Sequence, residues 1–428
     1  MKRAVILLLS LTLLQLPGSV ASHAQGLHAR PRSLKPLLYR LTILARSGER
    51  APDVGADSLY TFFAEPLIAD DGTVAFTGDT WSPTDNSYGT GLFTTRARGQ
   101  ANLVALTGQP APDGSSVLTG FGRPTLNRAG QVAYLGEFSD GMTGVCVNQS
   151  LVAQLGGPVP GLPDARFVAL SDPAINDLGL VAFSAAIFFS SSSLVGASYN
   201  GGVFTQEQPL AFDTEAISGL PGVQILAQGN VAWLGNNAIG YMALLSDGSQ
   251  AVFGPEGIVL RTDDPAPDGV GQQVRNIDPG VSGNEKGDLA YMVSLDSGKA
   301  IYVNRSLAAF EGELLPLSPP GYTLERIFWA SSGAGALDAQ GNVVYAGLFG
   351  TPNEGIVGAG VFLPGRVVAV TGQSIGDSAD GLILTGIGSP ARINSRGQIV
   401  FVGLLSTGDQ AVILATPPLR SHAPPRRH

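Results

Sequence analysis

Short apolar runs separated by Gly, Pro, Asn and Asp fill residues 41–418, and one pattern recurs seven times. An Asn or Asp is followed by two variable residues, Gly, one variable residue and three apolar residues. The copies begin with Ala69-Asp-Asp-Gly72-Thr-Val-Ala-Phe76, where Ala takes the first place, and Asn127-Arg-Ala-Gly130-Gln-Val-Ala-Tyr134. Next come Asn176-Asp-Leu-Gly179-Leu-Val-Ala-Phe183, Asn237-Ala-Ile-Gly240-Tyr-Met-Ala-Leu244 and Asn284-Glu-Lys-Gly287-Asp-Leu-Ala-Tyr291. The last two are Asp338-Ala-Gln-Gly341-Asn-Val-Val-Tyr345 and Asn394-Ser-Arg-Gly397-Gln-Ile-Val-Phe401. The glycines are spaced by 58, 49, 61, 47, 54 and 56 residues.

The pattern reads as a hairpin. Asn or Asp opens a type I turn by bonding its side chain to the backbone further along. Gly takes a following positive-φ position without a Cβ penalty. Three consecutive apolar residues break the alternation of a half-buried strand, so the strand after the turn is expected to be covered on both faces. A third strand follows in each copy, as at Gly91-Leu-Phe93, Gly144-Val-Cys146, Ala300-Ile-Tyr302 and Gly360-Val-Phe362. A fourth follows that, as at Leu103-Val-Ala-Leu106, Gly257-Ile-Val-Leu260 and Val367-Val-Ala-Val370. Four-stranded sheets, each sandwiched between two neighbours, are the blades of a β-propeller. The sequence therefore predicts an all-β, seven-bladed propeller over residues 38–418.

A second motif follows the fourth strand, strongest at Gly108-Gln-Pro-Ala-Pro-Asp113 and Asp264-Pro-Ala-Pro-Asp-Gly269. It also settles how the ring closes. The seventh copy has a third strand at Gln410–Ile413 and then Pro417-Pro418, with no fourth strand. Leu41-Thr-Ile-Leu-Ala45, followed by Gly48-Glu-Arg-Ala-Pro-Asp53, matches the missing strand and its loop. The N-terminal strand is expected to complete the last blade, a pairing that removes the exposed edges of an open sheet.

The Asn-x-x-Gly strand with its Ala-Phe ending, and the Gly-x-x-Ala-Pro loops, resemble a family of secreted bacterial tandem-repeat proteins. The resemblance covers about residues 38–418 and implies a propeller-like fold and export. It brings no settled activity and no functional residues. Some members carry a C-terminal surface anchor; residues 420–428 here show no anchor signal.

The first 24 residues read as a secretory signal: Lys2 and Arg3, an apolar run over Ala4–Leu16, then small residues ending at Ser22-His23-Ala24. That run is too short to cross a hydrocarbon core of about 30 Å. The expectation is a secreted, periplasmic or cell-surface protein cleaved near Ala24, with a basic linker over 25–37, a basic tail over 419–428 and no transmembrane segment. The net charge is −9. Residues 1–40 and 419–428 hold nine Lys or Arg and no acid, which leaves 16 basic and 34 acidic groups, or −18, on residues 41–418. A body so acidic would repel phosphate backbones, so nucleic acid is disfavoured as a partner.

The chemistry available is narrow. His23, His28, His422 and His428 all fall outside the repeats, so the body has no imidazole for general base, triad or metal work. Cys146, the single cysteine, sits in an apolar strand and reads as a buried structural thiol. In an up-and-down blade the loops between second and third strands share a face with the blade-to-blade loops. That face is expected to gather Asp53, Asp113, Asp263, Asp264, Asp268 and Asp377 with the aromatics of two long loops, Asp79–Thr90 and Ala185–Asn200. Trp81, Tyr88, Phe188, Phe189 and Tyr199 are those aromatics. The candidate binding residues are Asp53, Trp81, Tyr88, Asp113, Phe188, Tyr199, Asp264 and Asp268, although Pro-Asp-Gly also makes turns with no ligand at all. The Asn-x-x-Gly turns have a structural explanation and are set aside as sites.

The leading expectation is a non-enzymatic binding or scaffolding propeller for a glycan, peptide or protein. The alternative is a glycoside hydrolase or polysaccharide lyase built on carboxylates, which cleave sugars as pairs about 5–10 Å apart without His. No cofactor is expected; calcium is the cation that the recurring acidic loops would suit.

Overall fold

The computed structural model describes residues 39–418 except 98, 113, 190–198, 214–216, 268–270, 329–335, 377–380 and 389–390. The expected signal, linker and tail, over 1–24, 25–37 and 419–428, lie outside the described residues. So do Asp113, Asp268 and Asp377. The described residues form a seven-bladed β-propeller of antiparallel sheets, and none of them is helical.

Blade 1 is Leu59–Ile68, Val74–Ser82, Ser87–Thr95 and Asn102–Leu106, ordered from the axis outward. Blades 4, 5 and 6 repeat that plan over Ile225–Arg261, Asn276–Phe310 and Thr323–Val370. In blades 2, 3 and 7 the innermost strand is broken in two, at Thr125–Leu126, Ala174–Ile175 and Arg392–Ile393. Blade 7 takes its outer strand from the other end of the chain. Arg40–Arg46 pairs antiparallel with Gln410–Thr416, Arg40 opposite Thr416 and Arg46 opposite Ala411. The expected closure is present. Arg46 reinforces it by donating from Nε to Asp409 Oδ2 at 2.9 Å.

The apolar triplets behave as strands covered twice. Val74, Ala75 and Phe76, and likewise Ile399, Val400 and Phe401, are wholly buried. Alternate residues of one strand serve opposite neighbours. Val400 and Val402 pack with Phe63, Phe76 and Phe93 of blade 1, while Ile399 and Phe401 pack with Val344, Val361 and Val368 of blade 6. Each blade is thereby cemented on both sides by apolar burial, worth roughly 1.5–3 kcal/mol per large side chain. The Cys146 thiol is buried within the core between blades 1 and 2, as expected.

The hairpins after the innermost strands also follow the sequence, with one correction. Gly130 donates to Asn127 O at 3.0 Å and has φ +79°; Gly179, Gly287, Gly341 and Gly397 make the same turn. The Asn or Asp side chain accepts the backbone N–H four residues on, as Gln131 N to Asn127 Oδ1 at 2.9 Å. The fourth copy is different. Gly240 is not a turn residue: it lies inside the second strand, opposite Ala232. A Cβ there would come within 2.7 Å of Leu289, so this glycine marks a close approach between blades. The turn of blade 4 is Gly235-Asn236-Asn237, with the positive φ of +67° at Gly235.

A connection invisible in the repeat runs around the axis. The side-chain nitrogen of each turn Asn donates to a backbone carbonyl of the next blade. Asn127 reaches Asn176 O at 3.0 Å, Asn176 reaches Asn236 O at 3.0 Å, and Asn284 reaches Asp338 O at 2.9 Å. Asn394 of blade 7 reaches Ala69 O of blade 1 at 2.9 Å. Gly235 N donates to Asn284 O at 2.8 Å where blade 4 has no such Asn.

Replacing Asn394, 3% exposed, tests this ring. Asn394→Ala removes both the turn acceptor and the inter-blade donor and is expected to cost about 2–3 kcal/mol. Asn394→Asp keeps the acceptor, as Asp338 does in blade 6, and is expected to cost about 1 kcal/mol. Urea unfolding of the two variants checks the order; equal losses would assign the whole effect to the inter-blade bond.

Candidate functional site

The seven hairpins between innermost and second strands and the connections from third to outer strands share one face, here the turn face. The hairpins between second and third strands and the blade-to-blade loops form the other, the loop face. The axis opens on the turn face into a cavity of about 140 Å³, lined by residues of all seven innermost strands and their turns. Ile68, Leu126, Ile175, Trp233, Leu337 and Ile393 contribute to its wall. Trp233 Nε1 donates to Ala174 O of blade 3 at 3.1 Å.

In six of the seven copies the second motif position stands at this mouth: Asp70, Arg128, Asp177, Glu285, Ala339 and Ser395. Arg128 of blade 2 forms ion pairs with Asp70 of blade 1 at 2.9 Å and Asp177 of blade 3 at 3.7 Å. It also pairs with Glu285 of blade 5, which is not an adjacent blade. Asp70 accepts Ser395 N of blade 7 at 2.6 Å, and Asp177 accepts Arg128 N at 2.9 Å. One guanidinium thus ties carboxylates from three other blades across the mouth. In sequence these turns are hidden as sites, because the motif explains its own Asn and Gly; the signal lies in the variable position between them.

The candidate residues on the loop face do share that face, but they are spread around it. Asp53 lies in the loop entering blade 1, exposed and with φ +62°. Trp81 and Tyr88 face each other in blade 1, in a hairpin rather than the expected irregular loop. The strands run on to Ser82 and Ser87, Trp81 Nε1 donates to Asn86 Oδ1 at 3.3 Å, and Tyr88 is 78% exposed. Phe188 and Tyr199 likewise pair across the second and third strands of blade 3. Asp264, in the loop between blades 4 and 5, accepts Arg261 N at 2.8 Å. Glu49 does the same for Arg46 N at 3.1 Å, so this position caps the outer strand. The described candidates thus lie in blade 1 with its entering loop, in blade 3, and between blades 4 and 5.

The loop face does carry a groove next to Asp264. It is an open polar depression of about 680 Å³ between blades 4 and 5, with Asp247, Gln250, Arg261, Asp263, Arg275 and Asn276 in its lining. Arg261 pairs with Asp247. Arg275 pairs with Asp296 at 2.7 Å and Asp263 at 3.7 Å. Gln250 Oε1 accepts Ile277 N of blade 5 at 2.8 Å and fixes the groove floor. Among the described residues, no group of three or more His, Cys, Asp or Glu is placed to hold a metal ion.

One carboxyl stands apart electrostatically. Burial pushes Asp213, at the loop-face end of the outer strand of blade 3, up to about 6. Its Oδ1 is buried without a hydrogen-bond partner, and its other oxygen lies where a Cβ on Gly201 would be.

A model of a family of unknown function, DUF7453, matches residues 9–219. No curated protein matches the sequence. Among solved structures, the chain is similar to the β-propeller domain of the trilobed protease from Pyrococcus furiosus. Identity is 9%, coverage 72% of this chain and 94% of that one, and the TM-score 0.33. Pyrococcus horikoshii acylaminoacyl peptidase matches at 8% identity, over 82% of this chain and 52% of that one, with a TM-score of 0.40. AofleA from Arthrobotrys oligospora matches at 12% identity, over 80% and 96%, with a TM-score of 0.32.

Arg128→Ala leaves Asp70, Asp177 and Glu285 facing one another without their cation. The half-exposed network is expected to lose roughly 1 kcal/mol of stability at low salt, and the loss to shrink in about 1 M salt. Denaturant titrations at the two ionic strengths check this. Asp213 makes a second prediction. Its folded pKa lies above its unfolded value, so the folded state binds the extra proton and stability falls as pH rises from about 4 to about 6. Asp213→Asn is expected to raise the melting temperature at pH 7 and to flatten that dependence; unchanged melting curves would contradict it.

Proposed function

We propose that the chain is an exported, non-enzymatic propeller that holds a polar ligand, a glycan or a peptide, in the loop-face groove between blades 4 and 5. The observation that carries this reading is the groove's charge arrangement. Arg275 and Arg261 stand among Asp263, Asp247 and Asp296, with amides at Gln250 and Asn276, in an open space of about 680 Å³. That size falls within the span of roughly 300–1,000 Å³ over which proteins bind small ligands. Paired charges and amides of both signs suit hydroxyls and peptide groups. Irregular loops carried on a rigid ring are where binding residues concentrate.

The hydrolase alternative needs two carboxylates free to work across a bond. At the central mouth the converging carboxylates are held by Arg128, in a cavity of about 140 Å³, which favours binding over hydrolysis. Export rests on the basic, apolar and small-residue order of residues 2–24, and on the likeness to secreted bacterial tandem-repeat proteins. No helix among the described residues is long and apolar enough to cross a membrane.

Glycan and peptide arrays probed with the full chain are expected to give ligands whose affinity drops about tenfold or more in Arg275→Ala and Asp263→Ala. Calorimetry on the strongest hit measures this. A ligand whose affinity ignores both substitutions would remove the groove from the reading, and blank arrays would leave a scaffold.

A further inference from the structure

The blades hand the chain on by a repeated step. Two residues beyond an outer strand, a backbone N–H donates to a carbonyl near the start of the next innermost strand. Gly48, Gly108, Gly156, Gly312 and Gly372 make this bond, all with φ between +76° and +98°. A Cβ at Gly48, Gly108 or Gly312 would meet nothing within 4 Å, so a side chain there would stand clear of the loop face. At the step from blade 4 to blade 5 the residue is Asp263, which donates to Val274 O at 2.7 Å with φ +68°. Asp tolerates that left-handed backbone at a cost that glycine avoids, and such positions cluster at ligand sites.

The residue after the accepting carbonyl is singular at the same junction. It is Thr61, Thr119, Val168, Glu325 and Thr385 in blades 1, 2, 3, 6 and 7, and Arg275 in blade 5. The fold brings the two positions together at all six of these steps, and only between blades 4 and 5 are they an acid and a base. Arg275 Nη1 lies 3.7 Å from Asp263 Oδ1, too far for a hydrogen bond. Its Nε donates to Asp296 Oδ1 at 2.7 Å, which fixes the guanidinium and leaves both Nη nitrogens without a hydrogen bond among the described residues. The side chains of Asp263 and Arg275 are 81% and 50% exposed, and both line the depression of about 680 Å³. Gln250 spends Oε1 on Ile277 N, and Asn276 spends Nδ2 on Asp278 Oδ1, so Gln250 Nε2 and Asn276 Oδ1 remain to the groove as donor and acceptor.

We propose that this groove takes the C-terminal end of a peptide whose last residue is basic, with the terminal carboxylate on the Nη nitrogens of Arg275 and the side-chain cation on Asp263. The inference rests on the reading of the groove as a ligand site and narrows its ligand. A guanidinium edge with two parallel donors matches a carboxylate bidentately, and a free carboxylate ends every unmodified peptide. Asp263 repels a ligand that is only anionic, and Arg275 repels one that is only cationic. A ligand with both charges close together satisfies both. The charge of −18 on residues 41–418 draws basic peptides in and works against polymers of acidic sugars. The peptide groups before the last residue carry the N–H and C=O that Asn276 Oδ1 and Gln250 Nε2 match.

Fluorescein-labelled hexapeptide libraries test it by polarisation against the full chain. They are randomised at five positions and end in lysine, alanine or glutamate, each as free acid and as C-terminal amide. The lysine-ended acid is expected to bind at least about tenfold more tightly than its amide and than the glutamate-ended acid. Arg275→Gln is expected to abolish the preference for acid over amide, and Asp263→Gly the preference for lysine over alanine. Because Asp263→Gly restores the glycine of the other junctions, its melting temperature is expected to hold or rise. Thr119→Ala, at the Arg275 position of blade 2, is expected to leave binding unchanged. Equal binding of acid and amide, or libraries that do not bind at all, would overturn the proposal. A glycan that binds in dependence on Arg275 and Asp263 would overturn it too, while keeping the groove as a ligand site. Peptides whose binding ignores both substitutions would remove the groove itself. A lower melting temperature in Asp263→Gly would make Asp263 a structural residue and overturn its part in recognition.

Discussion

The structure depends on a ring of side-chain amides around its axis. A propeller blade has no covalent link to its neighbour beyond one loop, and apolar packing between sheets is tolerant of small slides. The Asn Nδ2 bonds to the next blade's carbonyl are directional, short and buried. At four of the seven junctions they fix the rotation of one blade against the next, close to the axis. The same Asn side chains also hold their own hairpins, so the local turn and the global closure share one residue. At two of the three junctions without an amide something else takes its place: the Asp70–Arg128 ion pair between blades 1 and 2, and the Gly235 backbone N–H between blades 4 and 5.

Most of the fold was legible because its demands are local. A doubly covered strand needs three apolar residues in a row, and Val132-Ala133-Tyr134 or Val181-Ala182-Phe183 can be read without knowing the partner blades. The closure was legible because Leu41–Ala45 has the form of a strand missing elsewhere. Blade 4 misled the reading for a physical reason. Its hairpin is shorter, and its positive-φ glycine comes before the Asn pair instead of after it, while Gly240 falls by coincidence at motif spacing inside the next strand.

The site was less legible. The partner of Asn127 Nδ2 is 49 residues away in sequence, so nothing in the repeat announces the bond. The stretches around Trp81 and Phe188 looked like loops because they are long and depart from the apolar second- and third-strand runs, yet the two strands stay paired well into them, to Ser82 opposite Ser87 and Phe188 opposite Tyr199. The acidic Pro-Asp loops were placed on the correct face, but Asp264 spends its carboxylate on the end of a strand. The groove beside it draws on Arg261 and Arg275, which no motif singled out. Faces, by contrast, follow from strand direction alone.

The mouth of the axis has a further consequence. Repetition gives the backbone a near seven-fold rotation, but the residues at the second motif position are Asp, Arg, Asp, Glu, Ala and Ser at six of the copies, and blade 4 departs in its backbone. Arg128 also bridges to Glu285 across the opening, skipping two blades. The disc is thus marked like a clock dial: any body resting on that mouth meets a unique angular setting, and seven blades of like backbone still present a single direction to the outside.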